Sequence, residues 1–478
     1  MVSDDPREMF RQAAGLLSGD PPVAPAGADA TGLLQALGYD RPDPATADQS
    51  GDETAHRTKL LMAAASFQRL FQLDSEAAPG LVFFGAELAT PSPLSASGVG
   101  LTFRAGFEGC VGEGIELSSQ FSEINANLTL DPPPGGARWD PCCFQAGHSP
   151  IGHSHLGQSH QGHSPIGHSH LDHSLLGVPA DTPTDWCLAH RLSDGSAVHV
   201  PTDLVVRRGD QRKLLAPYPL SIGCAAGRSL AAATLHGLLE SIERDAAALW
   251  WRGGRRARLL PFDYPVMAHA SLVLAAVRQD QRRRRTWLLD ITSDLGVPCV
   301  AAVSVDPDGF GFACGVAARM TLWAASQAAI QEMCQMELAR TVVAAKRRER
   351  GEAGLNPLDM AHVRRARVVD AGRCLLLHPL PPIAPASDKD SLPGWDAPPD
   401  APARDPANAV RALVRRLDAR GLATAMVDLT RPEFGVPVVR VLCPGLEKEP
   451  STQMGPRLHA AIAETGGGAV HTHDVPLM

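Results

Sequence analysis

The stretch Ala225–Trp251, AAGRSLAAATLHGLLESIERDAAALWW, sets the reading of the whole chain. It opens on a glycine turn at Gly227, offers Ser229 as a helix N-cap, and then runs through about three helical turns to Glu240 and Glu243. Leu235, Leu238, Leu239, Ile242, Ala246 and Leu249 recur at helical spacing, so this helix buries one face. Carboxylates three residues apart share a helical face, and here that face borders the apolar one. At least one of the two glutamates is therefore drawn toward the core. Burying a carboxylate without compensation is expensive, which calls for a cation, an arginine or a proton at the site.

A second stretch, SASGVGLTFRAGFEGCVGEGIELSSQF (Ser95–Phe121), repeats the frame. Gly100, Thr102, Glu113, Ile115 and Glu116 fall where Gly227, Ser229, Glu240, Ile242 and Glu243 fall in the first, which indicates an internal duplication. Two such helices meeting about a pseudo-twofold bring four carboxylates together, a donor set for a hard divalent ion such as Mg²⁺. Mg²⁺ keeps much of its water and is commonly shared with substrate phosphates, so the cluster implies a nucleotide. No G-x-x-x-x-G-K-[ST] motif occurs, which excludes a P-loop. The helix starts after Gly100 and Gly227 lie on the order of 16 Å from the glutamates, so one helix does not present both ends to the same phosphate. A third segment, AAIQEMCQMELAR, puts Glu332 and Gln335 on one helical face, and Arg244 follows Glu243 directly. Arg244 is either a bidentate phosphate ligand or a structural ion-pair partner.

The chain has 478 residues, enough for two or three ordinary domains or one large one, and 44% of them are hydrophobic. A net charge of -8 gives no general attraction to nucleic acid. The arginine run at 282–285 reads as a solvated face. The N-terminal sequence lacks a basic segment leading into an apolar stretch, and no run of about 18 apolar residues occurs. The expectation is a soluble, cytoplasmic protein with no membrane contact. Ten cysteines without a C-x-x-C pair read as reduced structural thiols.

Residues 1–80 read as a helical extension with linkers at GDPPVAPAGADATG and RPDPATADQSGDET, in which HRTKLLMAAASFQRLFQL is one continuous helix with an apolar stripe. Residues 81–478 form the main domain, interrupted twice. The first interruption is the tract at 147–177, GHSPIGHSHLGQSHQGHSPIGHSHLDHSLLG, with eight of the eighteen histidines in units of five. A period of five fits neither helix nor strand, so the tract reads as a surface loop. Binding of zinc, nickel or copper by its imidazoles, and a coil with Ile151, Leu156, Ile166 and Leu171 facing inward, are the other readings. The second interruption is a proline-rich loop at 379–406. After it come a helix closed near Gly421 and strands in LATAMVDLT and VPVVRVLCPG.

Together these segments resemble the YcaO family, ATP-dependent enzymes that activate backbone amides. SASGVGLT with GEGIE is similar to the family's S-x-G-x-G element and its G-E-A-x-E-R helix. AAGRSLAAATLHGLLESIERDA resembles its A-A-G-N-T signature helix, QEMCQ its E-x-x-Q, and VDLTRPEFGVPVVRVLCPGLE its closing strands. The resemblance spans roughly residues 80–457. It implies an α+β fold of YcaO type, with mixed sheets flanked by helices and a pseudo-duplicated ATP and Mg²⁺ site. It further implies Glu113, Glu116, Glu240, Glu243 and Glu332 as Mg²⁺ ligands, with Ser97, Gly98, Gly100, Gly227, Arg228, Arg244 and Gln335 at the nucleotide. Glu243, Arg244 and Glu332 are the implied catalytic residues. Three positions depart from the pattern: Arg228 replaces Asn, Ala232 an acidic residue, and Leu117 an Arg, so contacts there are made differently.

The implied reaction is cyclodehydration. A Cys, Ser or Thr side chain of a ribosomally made precursor peptide attacks the preceding amide carbonyl, ATP phosphorylates the oxyanion, and loss of phosphate leaves a thiazoline or oxazoline. Thioamide formation with a sulfur-delivery partner is the nearest alternative, since this chain ends HTHDVPLM rather than in a P-x-P-x-P tail. A non-catalytic, His-rich metal-binding or scaffold protein is a different reading again. A separate leader-binding partner protein is expected, and a homodimer is left open.

Overall fold

The computed structural model describes residues 5–19, 28–41, 50–91, 94–121, 137, 139, 186–207, 221–260, 265–281, 283–382, 405–451 and 453–477. The histidine tract at 147–177 lies outside these residues, as does most of the proline-rich loop. Helices α1 (Pro6–Ser18), α2 (Ala28–Ala36) and α3 (Ser50–Ser66) come first, followed by an antiparallel sheet of β1 (Arg69–Leu73), β2 (Val82–Glu87) and β3 (Ser95–Gly100), and then α4 (Phe103–Ser119). Strands β4 (Trp186–Arg191), β5 (Ala197–Pro201) and β6 (Cys224–Ala226) lead into α5 (Leu230–Trp251). Next come β7 (Arg258–Leu259), α6 (Pro265–Arg278), β8 (Arg285–Asp290), β9 (Cys299–Val305), β10 (Ala313–Ala318) and the long α7 (Leu322–Arg350). Helices α8 (Pro357–Val368) and α9 (Pro406–Asp418), strands β11 (Ala425–Asp428) and β12 (Val438–Leu442), and helices α10 (Pro456–Thr465) and α11 (Ala469–Thr472) complete the order.

The strands form three sheets, ordered β1-β2-β3, β5-β4-β11-β12-β6 and β10-β9-β8-β7. Every ladder between named strands is antiparallel, where mixed sheets were expected. Among the described residues, parallel pairing is confined to the isolated bridges Phe121–Arg207 and Arg258–Leu380. Both faces of the β8–β10 layer are covered, by α5 and α9 on one core and α6 and α7 on another, which is why β9 and β10 are buried at every residue.

One edge strand of each sheet runs into a turn, a hydroxyl N-cap and a long helix. Thr102, Ser229 and Thr321 hold extended backbone, and their side chains accept the N–H of Ala105, Ala232 and Ala324 at 3.1, 3.2 and 3.2 Å. Glu113, Glu240 and Glu332 each stand eleven residues past the cap, and Glu116, Glu243 and Gln335 fourteen past it. The duplication expected from the sequence is therefore a triplication, with α4, α5 and α7 as equivalent helices. The third copy is disguised because Arg319 stands where Gly100 and Gly227 stand in the others.

Close packing of helix on strand makes the arrangement possible. A Cβ on Gly98 would lie 2.2 Å from the Cys110 nitrogen, and one on Gly315 would lie 2.1 Å from the Met333 nitrogen. Strand backbone and helix backbone are in direct contact there, and any side chain would drive them apart.

Several expectations are corrected. The continuous helix read into HRTKLLMAAASFQRLFQL stops at Ser66, and Leu70 and Phe71 lie in β1, whose register pairs Arg69 with Glu87 and Leu73 with Phe83. Strand pairing overrides a short helical stripe. The linker read at RPDPATADQSGDET gives way to α3 from Ser50 onward, and that read at GDPPVAPAGADATG to α2 from Ala28. The helices of 1–80 share one core with α4: Phe10 and Tyr39 pack on its Phe107 with ring centroids 5.8 and 6.5 Å away. Arg284, read as solvated, is 9% exposed and pairs with Glu337 at 3.0 Å and with Asp306.

Two ion-pair networks, each built on a buried carboxylate, fasten the helices. Arg457 reaches Asp245 of α5 at 2.9 and 2.8 Å and Asp294 at 2.6 Å, tying α5 to the C-terminal segment. Arg278 of α6 grips Glu337 of α7 at 2.6 and 2.8 Å. Among the described residues all eight cysteines are unpaired and buried, and no helix is long and apolar enough to cross a membrane.

The close approach at Gly315 yields a test. Gly315→Val is expected to cost about 1–3 kcal/mol by overpacking, read as a lower urea midpoint with unchanged slope. Alanine at Gly195, where nothing lies within 4 Å but φ is +74°, is expected to cost less.

Candidate active site

The three equivalent helices converge on one cavity of about 660 Å³. Glu113 and Glu116 reach it from α4, Glu240 and Glu243 from α5, and Glu332 and Gln335 from α7. Five carboxylates around one space repel each other, and backbone amides offset part of that cost. Glu113 accepts from the Ser97 N–H at 2.9 Å, Glu332 from Val316 N–H at 3.2 Å, and Glu240 from Gly223 N–H at 3.0 Å. In each case the donor belongs to the strand or turn that leads into the same helix.

The second acidic position of each helix reaches the next copy instead. Glu116 accepts from the Ala226 N–H at 2.8 Å, and Glu243 from the Ala318 N–H at 3.0 Å. Gln335 closes the circle by donating its amide to the Ser97 hydroxyl at 2.6 Å, and that hydroxyl donates to Glu113 at 3.2 Å. The three copies are thus linked head to tail through their own site residues.

Only one oxygen of each carboxylate is used this way. Among the described residues, the second oxygens of Glu113, Glu116 and Glu332 accept no hydrogen bond, while those of Glu240 and Glu243 face Arg244 at 3.6 and 3.5 Å. Arg319, on the turn into α7, stands 3.9 Å from Glu243. Among the described residues, two arginines, Arg244 and Arg319, line the cavity against five glutamates.

Burial pushes the Glu240 carboxyl up to about 7 despite the pull of Arg244. Burial also raises Glu113, over the lowering bonds from Ser97, and raises Glu116 strongly, where Glu240 and Glu113 add to it. Glu243 and Glu332 are raised for the same first reason, and Glu243 adds repulsion at Glu332. Glu337, five residues further along α7, makes the contrast. Burial would raise it too, but Arg278 and Arg284 hold it below the ordinary carboxylate range. Glu337 is thus paired and acidic, whereas the cavity carboxylates are underpaired and raised.

An all-oxygen, negatively charged donor set fits a hard cation such as Mg²⁺. Among the described residues no three groups form a ready-made metal cage, so a cation would complete its shell with other oxygens.

Other expected nucleotide contacts do not line this cavity. Gly98 and Gly100 sit under the start of α4 and Gly227 under the start of α5, where added Cβ atoms would collide with helix backbone at 2.2 to 2.6 Å. The lack of a side chain at these positions permits that close packing. Arg228 is exposed and lies near His56 of α3, whose pKa is held down to about 4, first by burial and then by that arginine. Sequence reading missed Arg319 and His236, both lining the cavity. His236 is fixed by the Ala226 carbonyl at 3.1 Å. Alignment of the third cap, Thr321, with Thr102 and Ser229 would have exposed Arg319.

Residues 97–447 match the family model described as YcaO cyclodehydratase, ATP- and Mg²⁺-binding. A curated protein of Rhizobium leguminosarum bv. trifolii, described as an uncharacterized protein in the tfuA 3' region, is 33% identical over 124 residues, 25% of this chain and 29% of its own length. A heterocyclase solved in complex with substrate and cofactor superposes with a TM-score of 0.61 at 20% identity, covering 91% of this chain and 58% of its own. YcaO from Methanopyrus kandleri, bound with AMPPCP and Mg²⁺, gives 0.53 at 18% identity over 83% of this chain and 91% of its own. The E. coli microcin synthetase McbBCD complex with pro-MccB17 bound gives 0.52 at 13% identity over 78% and 87%. The chain thus spans just over half of the first of these structures and under a third of the rhizobial protein.

The raised carboxylates fix a pH dependence. For a group whose folded pKa exceeds its unfolded value, the folded state holds a proton that the unfolded state gives up, so stability falls as pH rises between the two values. For Glu240 that window runs from 4.5 to about 7. The Tm of the metal-free chain is expected to fall across it in scanning calorimetry, and Glu240→Gln is expected to flatten the fall. An unchanged slope in the variant would remove the argument.

Proposed function

The chain belongs to the YcaO family, and from that premise we propose that it is an ATP- and Mg²⁺-dependent enzyme acting on backbone amides of a ribosomally made peptide. The reaction proposed is cyclodehydration of Cys, Ser or Thr with the preceding amide to thiazoline or oxazoline. The observation that carries this reading is the set of five underpaired glutamates that α4, α5 and α7 deliver to one cavity. Carboxylates kept in that state, rather than neutralised by arginines as Glu337 is, suit a site completed by cations.

Glu113, Glu116, Glu240, Glu243 and Glu332 would hold Mg²⁺. Ser97 and Gln335 bond each other at 2.6 Å on the cavity wall and, with Arg244, would meet the phosphates. When bound, the nucleotide and its Mg²⁺ supply a phosphoryl group that makes the amide oxygen a good leaving group. Glu243, Arg244 and Glu332 are proposed as the catalytic centre. Arg244 lies between two glutamates, whose charge draws its guanidinium to the site before any ligand arrives, which lowers the reorganisation needed in the transition state. Backbone amides of Ala318 and Val316 hold Glu243 and Glu332 in the same preorganised way.

The heterocyclase solved with substrate and cofactor and the microcin synthetase complex solved with its pro-peptide support a peptide substrate and an accessory protein. A separate leader-binding partner is proposed for this chain. The proposed organisation is a helical extension at 1–80 followed by the catalytic domain, with the histidine tract at 147–177 as an insertion between the first two helix copies.

Glu243→Gln is expected to abolish Mg²⁺-dependent ATP hydrolysis, a drop of at least about 10²-fold in kcat, while deletion of 147–177 leaves it near the full-length rate. The opposite pattern would assign the function to the histidine tract. Mass spectrometry of the treated precursor is expected to show losses of about 18 Da per site, as removal of water from the activated amide requires. Gains of about 16 Da would replace ring formation by oxygen-to-sulfur exchange at the same activated carbon.

A further inference from the structure

A second cavity, of about 520 Å³, lies between the distal half of α7 and α8. Its apolar lining is Val343, Ala344, Val363 and Ala366, and its rim carries Arg340, Arg347, Arg348 and Arg367. His362 lines both this groove and the carboxylate cavity, so the two spaces adjoin. We infer that this groove docks an acidic, leucine-bearing segment of the peptide substrate and leads it toward the carboxylate cavity, an inference that rests on the peptide-modifying reading above.

Three observations favour this occupant. The first is charge. The chain carries a net charge of -8, so a rim of four arginines is a local reversal of sign that complements an acidic ligand. Part of that rim is already neutralised: Arg340 pairs with Asp306 at 3.2 Å and Arg347 with Glu352. Beside it, Lys346 pairs with Asp359 at 3.1 Å. Arg348 and Arg367 are exposed and have no ion-pair partner among the described residues. Basic residues in the last turns of α7 and α8 suit the helix dipoles. That effect places them there and leaves the apolar floor between them unexplained.

The second observation is that floor. Four aliphatic residues ringed by guanidinium groups match a peptide with alternating acidic and aliphatic side chains better than a bare polyanion. The third is that, among the described residues, no Phe, Tyr or Trp lines the groove to stack bases.

The test uses the full chain and a fluorescein-labelled synthetic peptide of alternating glutamate and leucine, read by fluorescence anisotropy. Binding is expected to weaken by about tenfold or more in the double variant Arg348→Glu with Arg367→Glu, to recover with lysine at both positions, and to fall with added salt. ATP hydrolysis measured without peptide is expected to match the wild type, which also reports that the variant is folded. Equal binding by the charge-reversed variant overturns the inference, as does displacement of the peptide by an equimolar single-stranded oligonucleotide. If the wild type binds the peptide at this groove but hydrolyses no ATP with Mg²⁺ present, the catalytic reading falls and the docking surface stands.

Discussion

Among the described residues, five carboxylates share one cavity with two arginines, and a folded chain sustains that when dipoles, ions or protons take up the excess charge. Backbone N–H groups do the first part. Ser97, Gly223, Ala226, Val316 and Ala318 each give one hydrogen to one glutamate, so every carboxylate is oriented before any ligand binds. The remaining charge is what makes the site receptive to cations. The same shortage raises the carboxyl pKa values through burial and mutual repulsion.

The architecture follows from that requirement. A strand edge must sit against a helix closely enough for its amides to reach side chains eleven residues past the helix cap. Gly98 and Gly315 allow this in the first and third copies because a Cβ at either would meet helix backbone within 2.2 Å. The side chains fourteen past the cap cross to the next copy, so the three sheets and three helices are joined at the site itself. Remote networks then hold the helices still: Arg457 between Asp245 and Asp294, and Glu337 between Arg278 and Arg284. Partners for these charges come from distant parts of the chain, which is why Asp245 and Glu337 look in sequence like the site glutamates but play a different part.

Much of the candidate site was legible because its determinants are local. The glycine turn, the hydroxyl cap and the helical spacing of Leu238, Leu239 and Ile242 lie within one continuous stretch. The third copy was seen only as Glu332 and Gln335, since Arg319 hides its glycine turn. Phe71 reads as helical in sequence because five residues of strand carry too little periodicity to outweigh the helix before them, and their pairing with β2 depends on residues beyond the stretch. Arg284 reads in sequence as a surface charge because Glu337, which pairs with it, lies fifty-three positions away.

By itself, then, the sequence determined the three helices and which of their faces carry acid, because capping and a 3.6-residue period act over a single turn or two. Tertiary structure alone decided which glutamates stay underpaired, that the acidic faces of α4, α5 and α7 are linked head to tail, and that Arg319 and His236 join them. The reason is physical: a carboxylate's state depends on burial and on the charges within a few ångströms, and the chain brings those neighbours from segments far apart in number.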